Sequence, residues 1–88
     1  MFKELTAGRE SDSEIKFDPD RDDLVSRRHA KITIDQTDPV EFSIVDLGSL
    51  NGTFVNKKRI SKRVKLSPGD VVQFGARGPE FRIEVEAG

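Results

Sequence analysis

The feature that most constrains the fold is a regular succession of short alternating segments and polar turns. Segments in which apolar and polar residues alternate recur roughly every eight to twelve residues, with turn-forming residues between them. No stretch has the i, i+3, i+4, i+7 spacing of apolar residues that an amphipathic helix requires. The pattern therefore predicts an all-β domain, a two-sheet β-sandwich of short and mostly antiparallel strands.

The alternation also predicts where the strands and the core lie. Strands are predicted over residues 1–7, 14–18, 29–34, 41–47, 54–55, 59–60, 64–66, 71–74 and 80–86. Leu24 and Val25 are predicted to hold the long loop before the third strand against the core. Burying one core side chain is worth about 1.5–3 kcal/mol, and the predicted core is Ile15, Phe17, Ala30, Ile32, Ile34, Phe42, Ile44, Phe54, Val71, Phe74, Phe81, Ile83 and Val85.

Three turns stand out by their residue types. Asn51-Gly52 predicts a tight hairpin reversal, because both residues tolerate positive φ. Asn56-Lys57 predicts a second tight turn shortly after it. Pro68-Gly69 suits the two central positions of a type II turn.

Composition limits the classes of function. The chain has 88 residues, 34% of them hydrophobic, and no cysteine, so we expect one domain over 1–88 without disulfides or thiolate metal sites. Its apolar runs are short and no signal peptide is visible, so we expect no membrane insertion and a cytoplasmic or cytoplasm-facing location. A formal net charge of −1 argues against a globally basic nucleic-acid binder.

The charges are unevenly distributed along the chain. An acidic cluster precedes the third strand, and its members are Asp18, Asp20, Asp22 and Asp23. It is similar to the start of a calcium loop, but Asp23 and His29 stand where such a loop needs glycine and glutamate, so we expect no metal.

A basic cluster follows the fifth strand, at Lys57, Lys58, Arg59, Lys62, Arg63 and Lys65. It is expected to be a solvated face, or alternatively to favour acidic residues that flank a bound phosphate.

Three polar groups occur where a predicted strand meets a loop. They are Gly8-Arg9 after the first strand, residues 26–29 before the third, and residues 49–53 after the fourth. We expect all three at one end of the sandwich, where they offer guanidinium, hydroxyl and amide donors. A dianionic phosphate accepts several charge-assisted hydrogen bonds from such donors. The residues therefore predict a phosphate-binding site.

The order and spacing of these groups resemble the signature of forkhead-associated (FHA) domains. The resemblance rests on Gly8-Arg9, Ser26-x-x-His29 and Asn51-Gly52-Thr53, and on the surrounding residues 25–30, 46–49 and 68–75. It covers about residues 5 to 85, and the three motifs are specific because they occur together and in order. FHA domains are among the known readers of phosphorylated motifs. The resemblance implies a non-enzymatic β-sandwich that binds phosphothreonine peptides in serine/threonine kinase signalling.

The family also implies a role for each matching residue. Arg9 resembles the arginine that grips the phosphate, and Ser26 the serine whose hydroxyl donates to it. Arg27 stands where members often place a further phosphate contact. Asn51 resembles the asparagine that holds the peptide backbone beside the phosphothreonine. The loop framework is assigned to five residues: Gly8, His29, Ser49, Gly52 and Thr53.

The chain departs from the family pattern at Leu50 and near the N-terminus. Many members have a threonine or serine before the asparagine, whose hydroxyl adds a phosphate contact that Leu50 cannot make. Members also have another strand and turn before Gly8, so we expect residues 1–7 to be a truncated strand in a domain belonging to a longer chain. An open edge there favours a homodimer. The alternative function is therefore an FHA-fold interaction or dimerisation module with weak or no phosphate dependence.

Two other functions fit the residues less well. Ser26 and His29 have residue types found in hydrolases, but the G-x-S-x-G nucleophile elbow is missing from the sequence. Nucleic-acid binding through the basic cluster would lack stacking aromatics, since the chain has neither Trp nor Tyr. We therefore expect no catalytic residue, no cofactor and no nucleic acid, and a phosphothreonine-containing protein or peptide as the partner.

Overall fold

A computed structural model of the chain describes residues 2–10, 13, 15–16, 24–36 and 40–84. These residues form nine strands and contain no helix, which confirms the all-β prediction. The strands are β1 (Phe2–Gly8), β2 (Ile15–Lys16), β3 (Ala30–Asp35), β4 (Glu41–Asp46), β5 (Thr53–Val55), β6 (Lys58–Arg59), β7 (Val64–Leu66), β8 (Val71–Phe74) and β9 (Glu80–Arg82).

The strands form the two sheets of a β-sandwich, as predicted. One sheet has five strands in the order β2-β1-β3-β4-β7, and the other has four in the order β6-β5-β8-β9. The strand pairs are antiparallel, with the exception of β1 and β2, whose short parallel register joins Ala7 to Ile15 and Gly8 to Lys16. Within the described part of the chain, no helix is long and apolar enough to cross a membrane.

The core draws its side chains from both sheets. In β3 the alternation buries Ala30 and Ile32 and leaves Lys31 partly exposed, because successive side chains of a strand point to opposite faces. The buried apolar residues are Ala7, Val25, Ala30, Ile32, Ile44, Val55, Leu66, Val72 and Phe74. Val25 is fully buried, which confirms that it anchors the long loop before β3.

Most of the predicted core is confirmed. Nine predicted residues are buried or pack against the buried cluster: Ile15, Ala30, Ile32, Ile34, Phe42, Ile44, Phe74, Phe81 and Ile83. Two further predicted core residues, Phe17 and Val85, lie outside the described residues, as does the acidic cluster at residues 18–23.

The prediction is wrong at Phe54 and Val71, which do not belong to the core. Their neighbours Val55 and Val72 are the buried residues, and the two valines are partners in the β5–β8 register. Each of these strands offers two adjacent apolar residues. Pairing between the strands, which the sequence does not display, selects the one that faces inward.

The turn at residues 48–52 is not the hairpin that Asn51-Gly52 predicts. β4 and β5 belong to different sheets, so this segment carries the chain from one sheet of the sandwich to the other. Gly48 and Gly52 have positive φ, at 77° and 85°, whereas Asn51 does not. The dipeptide signals a sharp change of direction but not which strand pairs with which.

The hairpin lies at the next turn along the chain. Asn56 and Lys57 have φ of 51° and 69°, and they join β5 to β6 through a two-residue turn of the type I′ class. The Pro68-Gly69 turn is confirmed, since Gly69 has φ of 93° and the Asp70 N–H donates to the Ser67 carbonyl at 3.0 Å.

Candidate functional site

Gly8 lets the end of β1 lie against the loop that precedes β3. The Arg9 N–H donates to the Ser26 carbonyl at 3.3 Å, and the Glu10 N–H donates to the Arg27 carbonyl at 3.2 Å. A Cβ atom at residue 8 would lie 2.0 Å from the Arg27 carbonyl oxygen, and backbone cannot easily move aside. Glycine therefore permits this approach, which sets the Arg9 side chain beside residues 25–28.

Arg9 is held in place through its side chain. Its Nε donates a hydrogen bond to the backbone carbonyl of Val25, and the residue is partly buried. Because Val25 is fully buried, that carbonyl is a fixed acceptor. The bond holds one edge of the planar guanidinium and so orients its other N–H groups. In the same loop, Arg27 and Arg28 are exposed.

His29 connects the loops through both its backbone and its ring. Its N–H donates to the Ala7 carbonyl at 2.9 Å, and its carbonyl accepts from the Leu47 N–H at 2.9 Å. Nδ1 of the ring accepts from the Ser26 N–H at 3.1 Å. The neutral ring therefore carries its proton on Nε2, which donates to the Gly52 carbonyl at 2.7 Å. The structure thus places His29 between all three loops.

Burial keeps the His29 ring neutral. The side chain is fully buried, and the edge of its ring meets Phe74 at a centroid distance of 5.1 Å. This burial lowers the pKa of His29 below 6.5, against the smaller opposing effects of the Gly52 carbonyl and the Asp46 charge. Both ring nitrogens engage backbone atoms, so the structure gives His29 a bracing position and not that of a base aimed at the Ser26 hydroxyl.

The Ser26 hydroxyl joins two of the loops. Its Oγ accepts the Leu50 N–H at 3.0 Å. Accepting that bond uses a lone pair, so the hydroxyl proton can still be donated to a ligand. The Leu50 side chain is 85% exposed, so the backbone of this residue faces the site while its side chain projects into solvent.

Asp46, which the sequence analysis did not assign, organises the turn at residues 48–52. Its Oδ2 accepts from the N–H groups of Gly48 and Ser49, both at 3.0 Å. Its Oδ1 accepts from the hydroxyls of Ser49 at 2.5 Å and of Thr53 at 2.7 Å. Partial burial alone would raise the pKa of the Asp46 carboxyl, but these four bonds together lower it. An aspartate at a strand end before Gly-Ser was the available signal, because Asp side chains often bond the backbone two residues on.

Ser49 is committed to the turn. Its hydroxyl donates to Asp46 and accepts from the Gly52 N–H at 3.0 Å. Thr53 is fully buried and donates to the same carboxylate. Neither hydroxyl is therefore placed to replace the one that many family members carry at the position of Leu50.

Asn51 is bonded to the loop before β3 and lies beside Gly75, a residue that the sequence analysis did not assign to the site. Its Nδ2 donates to the Leu24 carbonyl at 2.9 Å. Gly75 follows β8, has φ of 89°, and donates its N–H to the Gly52 carbonyl at 2.8 Å. A Cβ atom at residue 75 would lie 3.4 Å from the Asn51 Cβ. In the sequence, the glycine directly after Phe74, at the end of a predicted strand, was the available signal that Gly75 supports the turn at residues 48–52.

Arg59 is a third residue that the sequence analysis left outside the site, after Asp46 and Gly75. A Cβ atom at Gly52 would lie 2.8 Å from Arg59 Nε, 3.1 Å from its Cζ and 3.3 Å from its Cδ. The Arg59 side chain therefore lies against Gly52, the residue that follows Asn51. In the sequence it was one of several residues in a basic cluster, and nothing local distinguished it.

The described residues include no group of three His, Cys, Asp or Glu side chains that could hold a metal ion. What they bring together is Arg9, Ser26 and Asn51 from three loops, with Arg27 exposed in the second loop and Gly8, His29, Ser49, Gly52 and Thr53 in the backbone and hydrogen-bond framework. A rigid sandwich that presents such groups on its loops is the architecture of an interaction module.

A family model described as the FHA domain matches residues 5–75. The chain therefore belongs to the FHA domain family, whose members are interaction modules.

Two curated relatives are regulatory proteins. The glycogen accumulation regulator GarA of Mycobacterium tuberculosis is 47% identical over 78 residues, which cover 89% of this chain and 41% of the relative. The oxoglutarate dehydrogenase inhibitor of Corynebacterium efficiens is 45% identical over 83 residues, covering 94% of this chain and 51% of the relative. This chain thus spans about half or less of the length of these relatives.

A solved structure from a structural and functional analysis of phosphothreonine-dependent FHA domain interactions has the same fold. It superposes with a TM-score of 0.79 at 31% sequence identity, covering 94% of this chain and 77% of that one. The similarity therefore extends over nearly the whole domain.

Proposed function

We propose that this domain binds proteins that carry a phosphothreonine and thereby joins partners in serine/threonine kinase signalling. The observation that supports this most strongly is the fixation of three loops around one site, through the bonds from Arg9 to Val25, from Leu50 to Ser26 and from Asn51 to Leu24. The similarity to a phosphothreonine-dependent FHA domain supports the same ligand.

We assign the phosphate contacts to Arg9, Ser26 and Arg27. A guanidinium and a hydroxyl donate charge-assisted hydrogen bonds to phosphate oxygens, each worth about 1.5–3 kcal/mol. Arg9 and Ser26 are already oriented by Val25 and Leu50, so binding loses less side-chain entropy than it would with mobile donors. Arg27 is exposed and adds a more flexible positive charge.

We assign Asn51 to the backbone of the bound peptide. The bond from its Nδ2 to Leu24 fixes the plane of the side-chain amide. Its carbonyl oxygen and its second N–H can then pair with an N–H and a carbonyl of the peptide beside the phosphothreonine. This role gives recognition of an extended backbone without regard to the peptide's side chains.

Titration with a peptide library that carries a fixed phosphothreonine tests the proposal. We expect binding that is lost for the unphosphorylated peptides, a fall of at least about thirtyfold for Arg9→Ala, and a fall of about tenfold for Ser26→Ala. Arg63→Ala is the matched control, because it removes the same charge from an exposed arginine that contacts Thr33 on β3. Failure of every phosphorylated peptide to bind the folded protein would contradict the proposal.

A second candidate is an interaction module whose binding depends weakly or not at all on phosphate. Leu50 favours it, because the site lacks a hydroxyl there and Ser49 is committed to Asp46. In the described residues β1 pairs with β2 at two positions, so the outer edge of residues 2–6 is open to a second copy of the chain. Equal affinity for phosphorylated and unphosphorylated partners would support this candidate, and a monomeric mass by light scattering at high concentration would contradict the homodimer.

The named functions of the two relatives suggest the setting in which the domain works. One is a glycogen accumulation regulator, and the other is an oxoglutarate dehydrogenase inhibitor. We propose that this domain likewise serves as the contact surface of a regulator and not as an enzyme. Adding the domain to oxoglutarate dehydrogenase from the same organism, with and without a competing phosphothreonine peptide, tests this setting. Unchanged dehydrogenase activity in both assays would contradict it.

A further inference from the structure

We propose that Arg59 forms an anion-binding extension of the site and selects phosphopeptides with an aspartate or glutamate close to the phosphothreonine. This inference rests on the proposed phosphothreonine binding and specifies which peptides the site prefers. It rests on the position of the Arg59 guanidinium. This group lies on the turn at residues 48–52, the site turn, although Arg59 itself belongs to β6.

The contact between Arg59 and Gly52 places this guanidinium within reach of a bound peptide. Gly52 has no side chain, and Arg59 Nε lies 2.8 Å from where its Cβ would be. Gly52 directly follows Asn51, and neighbouring Cα atoms are about 3.8 Å apart. A peptide whose backbone pairs with Asn51 therefore passes next to the Arg59 guanidinium.

The hairpin at residues 56–57 explains how Arg59 reaches this position. It folds β6 back along β5, so that Arg59 pairs directly with Phe54. Partners in an antiparallel pair point to the same face, and this face is the outer one, because Thr53 and Val55 on either side of Phe54 are buried. From there the long arginine side chain extends back toward Gly52.

Among the described residues, no ion pair neutralises the charge of this region. Lys57, Lys58, Arg59 and Lys62 are all exposed. The ion pairs of the described residues join Lys31 to Glu4 and Lys65 to Glu41, and neither pair involves these four. The extension is therefore positively charged, and Arg59 brings it to the turn at residues 48–52.

A carboxylate of the bound peptide complements the positive charge of this surface. An extended peptide advances about 3.3 Å per residue, so three residues span about 10 Å, and we expect the side chain at one or two of these positions to reach Arg59. The arginine fork can bind both carboxylate oxygens at once. Contact with the Gly52 backbone limits the motion of the guanidinium, which lowers the entropy lost on pairing.

Peptides with one phosphothreonine in an alanine background test the inference. A single glutamate is placed in turn at each of the three positions on either side, and each such peptide is paired with its glutamine counterpart. Dissociation constants are measured by calorimetry for the native protein, for Arg59→Gln and for Lys62→Gln. The last variant is the matched control, because it removes the same charge from the same basic surface without touching the contact on Gly52.

We expect glutamate to improve the affinity of the native protein about fivefold at one or two positions, since exposed ion pairs contribute modestly. Arg59→Gln should abolish that preference, whereas Lys62→Gln should keep it. No preference for glutamate, or a preference that survives Arg59→Gln, overturns this inference while phosphothreonine binding stands. Failure of the all-alanine phosphopeptide and its glutamate variants to bind the native protein overturns both.

Discussion

The two turns that flank β5 look alike in sequence but are stabilised differently, one by strand pairing and the other by residues outside the turn. The turn at residues 48–52 precedes the strand, and the hairpin at residues 56–57 follows it. The hairpin is local, with two residues of positive φ between strands of the same sheet. The site turn crosses between sheets and is bonded by Asp46, Ser26 and His29, all of which lie outside the turn.

The difference explains why binding residues gather at one turn and not at the other. A hairpin satisfies its backbone through the neighbouring strand, so it needs little support from side chains. A crossing turn has no such partner, and its N–H and carbonyl groups must be bonded by side chains and by other loops. Two of the bonds that support the crossing turn, from Leu50 to Ser26 and from Asn51 to Leu24, also join the loops that carry Ser26 and Asn51.

The largest expected effect is the loss of the carboxylate that holds the site turn. Asp46→Ala removes the acceptor of four hydrogen bonds and leaves the fully buried Thr53 hydroxyl without it. We expect the free energy of unfolding to fall by about 3 kcal/mol. Phosphopeptide affinity should fall as well, because the turn that carries Leu50 and Asn51 loses its order. Urea unfolding and peptide calorimetry measure the two effects.

The hairpin provides the control for that substitution. Asp70 joins the hairpin to the Pro68-Gly69 turn, accepting from the Asn56 amide at 3.0 Å and from the Ser67 N–H at 2.8 Å. Asp70→Ala should cost less than about 1 kcal/mol, because these bonds are exposed, and peptide affinity should not change. If the two alanine variants lose equal stability and equal affinity, the proposed difference between the turns is wrong.

The next largest effect is expected from adding a methyl group to the site turn. Gly52→Ala places a side chain at φ of 85°, which costs about 1–2 kcal/mol, and pushes Arg59 away from the turn. Gly48→Ala is a close control, since its φ is 77° and no atom lies within 4 Å of the position that the new methyl group would take. Both should lose similar stability, and Gly52→Ala alone should lose the preference for acidic peptides.

If Gly48→Ala reduces that preference as much as Gly52→Ala does, the loss comes from backbone strain and not from the position of Arg59. A preference that survives Gly52→Ala in a folded protein would show that the guanidinium does not need the glycine surface. Peptide calorimetry on both variants, after circular dichroism has shown that they fold, distinguishes these results.

The sequence predicted the elements that depend on short-range pattern and missed those that depend on contacts between loops. Alternation located β3 and β4 closely, and Pro68-Gly69 predicted its turn type. Local signals were available for Asp46, at a strand end before Gly-Ser, and for Gly75, after a predicted strand, but the sequence did not display which residues they bond. Arg59 had no local signal, because it meets Gly52 only through the pairing of β6 with β5. The core face of β5 and β8 was ambiguous for the same reason, because cross-strand pairing decides it.

Acid should weaken the site turn before it affects the hairpin. Burial lowers the pKa of His29 in the folded protein below 6.5, the value for the unfolded chain. Below about pH 6.5 the unfolded chain therefore binds more protons. The stability that the neutral ring contributes is complete above that pH and falls by up to about 1.4 kcal/mol per pH unit until the folded pKa is reached.

Urea unfolding between pH 7 and pH 5 measures this slope, and proton NMR of the ring follows the group directly, because the chain has a single histidine. The carboxyls of Asp46 and Asp70 have pKa values lowered below 3.8 and stay ionised in this range. Amide signals of residues 48–52 should shift with the ring, while those of residues 55–58 should not. Equal stability at the two pH values, or a His29→Gln variant with the same slope, would contradict the assignment.

The smallest expected effect is a gain of stability at the hairpin. Lys57 adopts φ of 69°, a conformation that costs a side chain about 1–2 kcal/mol and costs glycine nothing. Lys57→Gly should relieve that strain, and the added freedom of the unfolded chain cancels part of the gain, leaving about 0.5 kcal/mol. Lys57 is exposed and belongs to the basic extension, so Lys57→Gln, which removes the same charge, is the reference: the phosphopeptide affinities of the two variants should differ less than twofold. A loss of affinity larger than this, at unchanged ionic strength, would mean that the two turns are coupled through β5 and that the hairpin also shapes the binding loops.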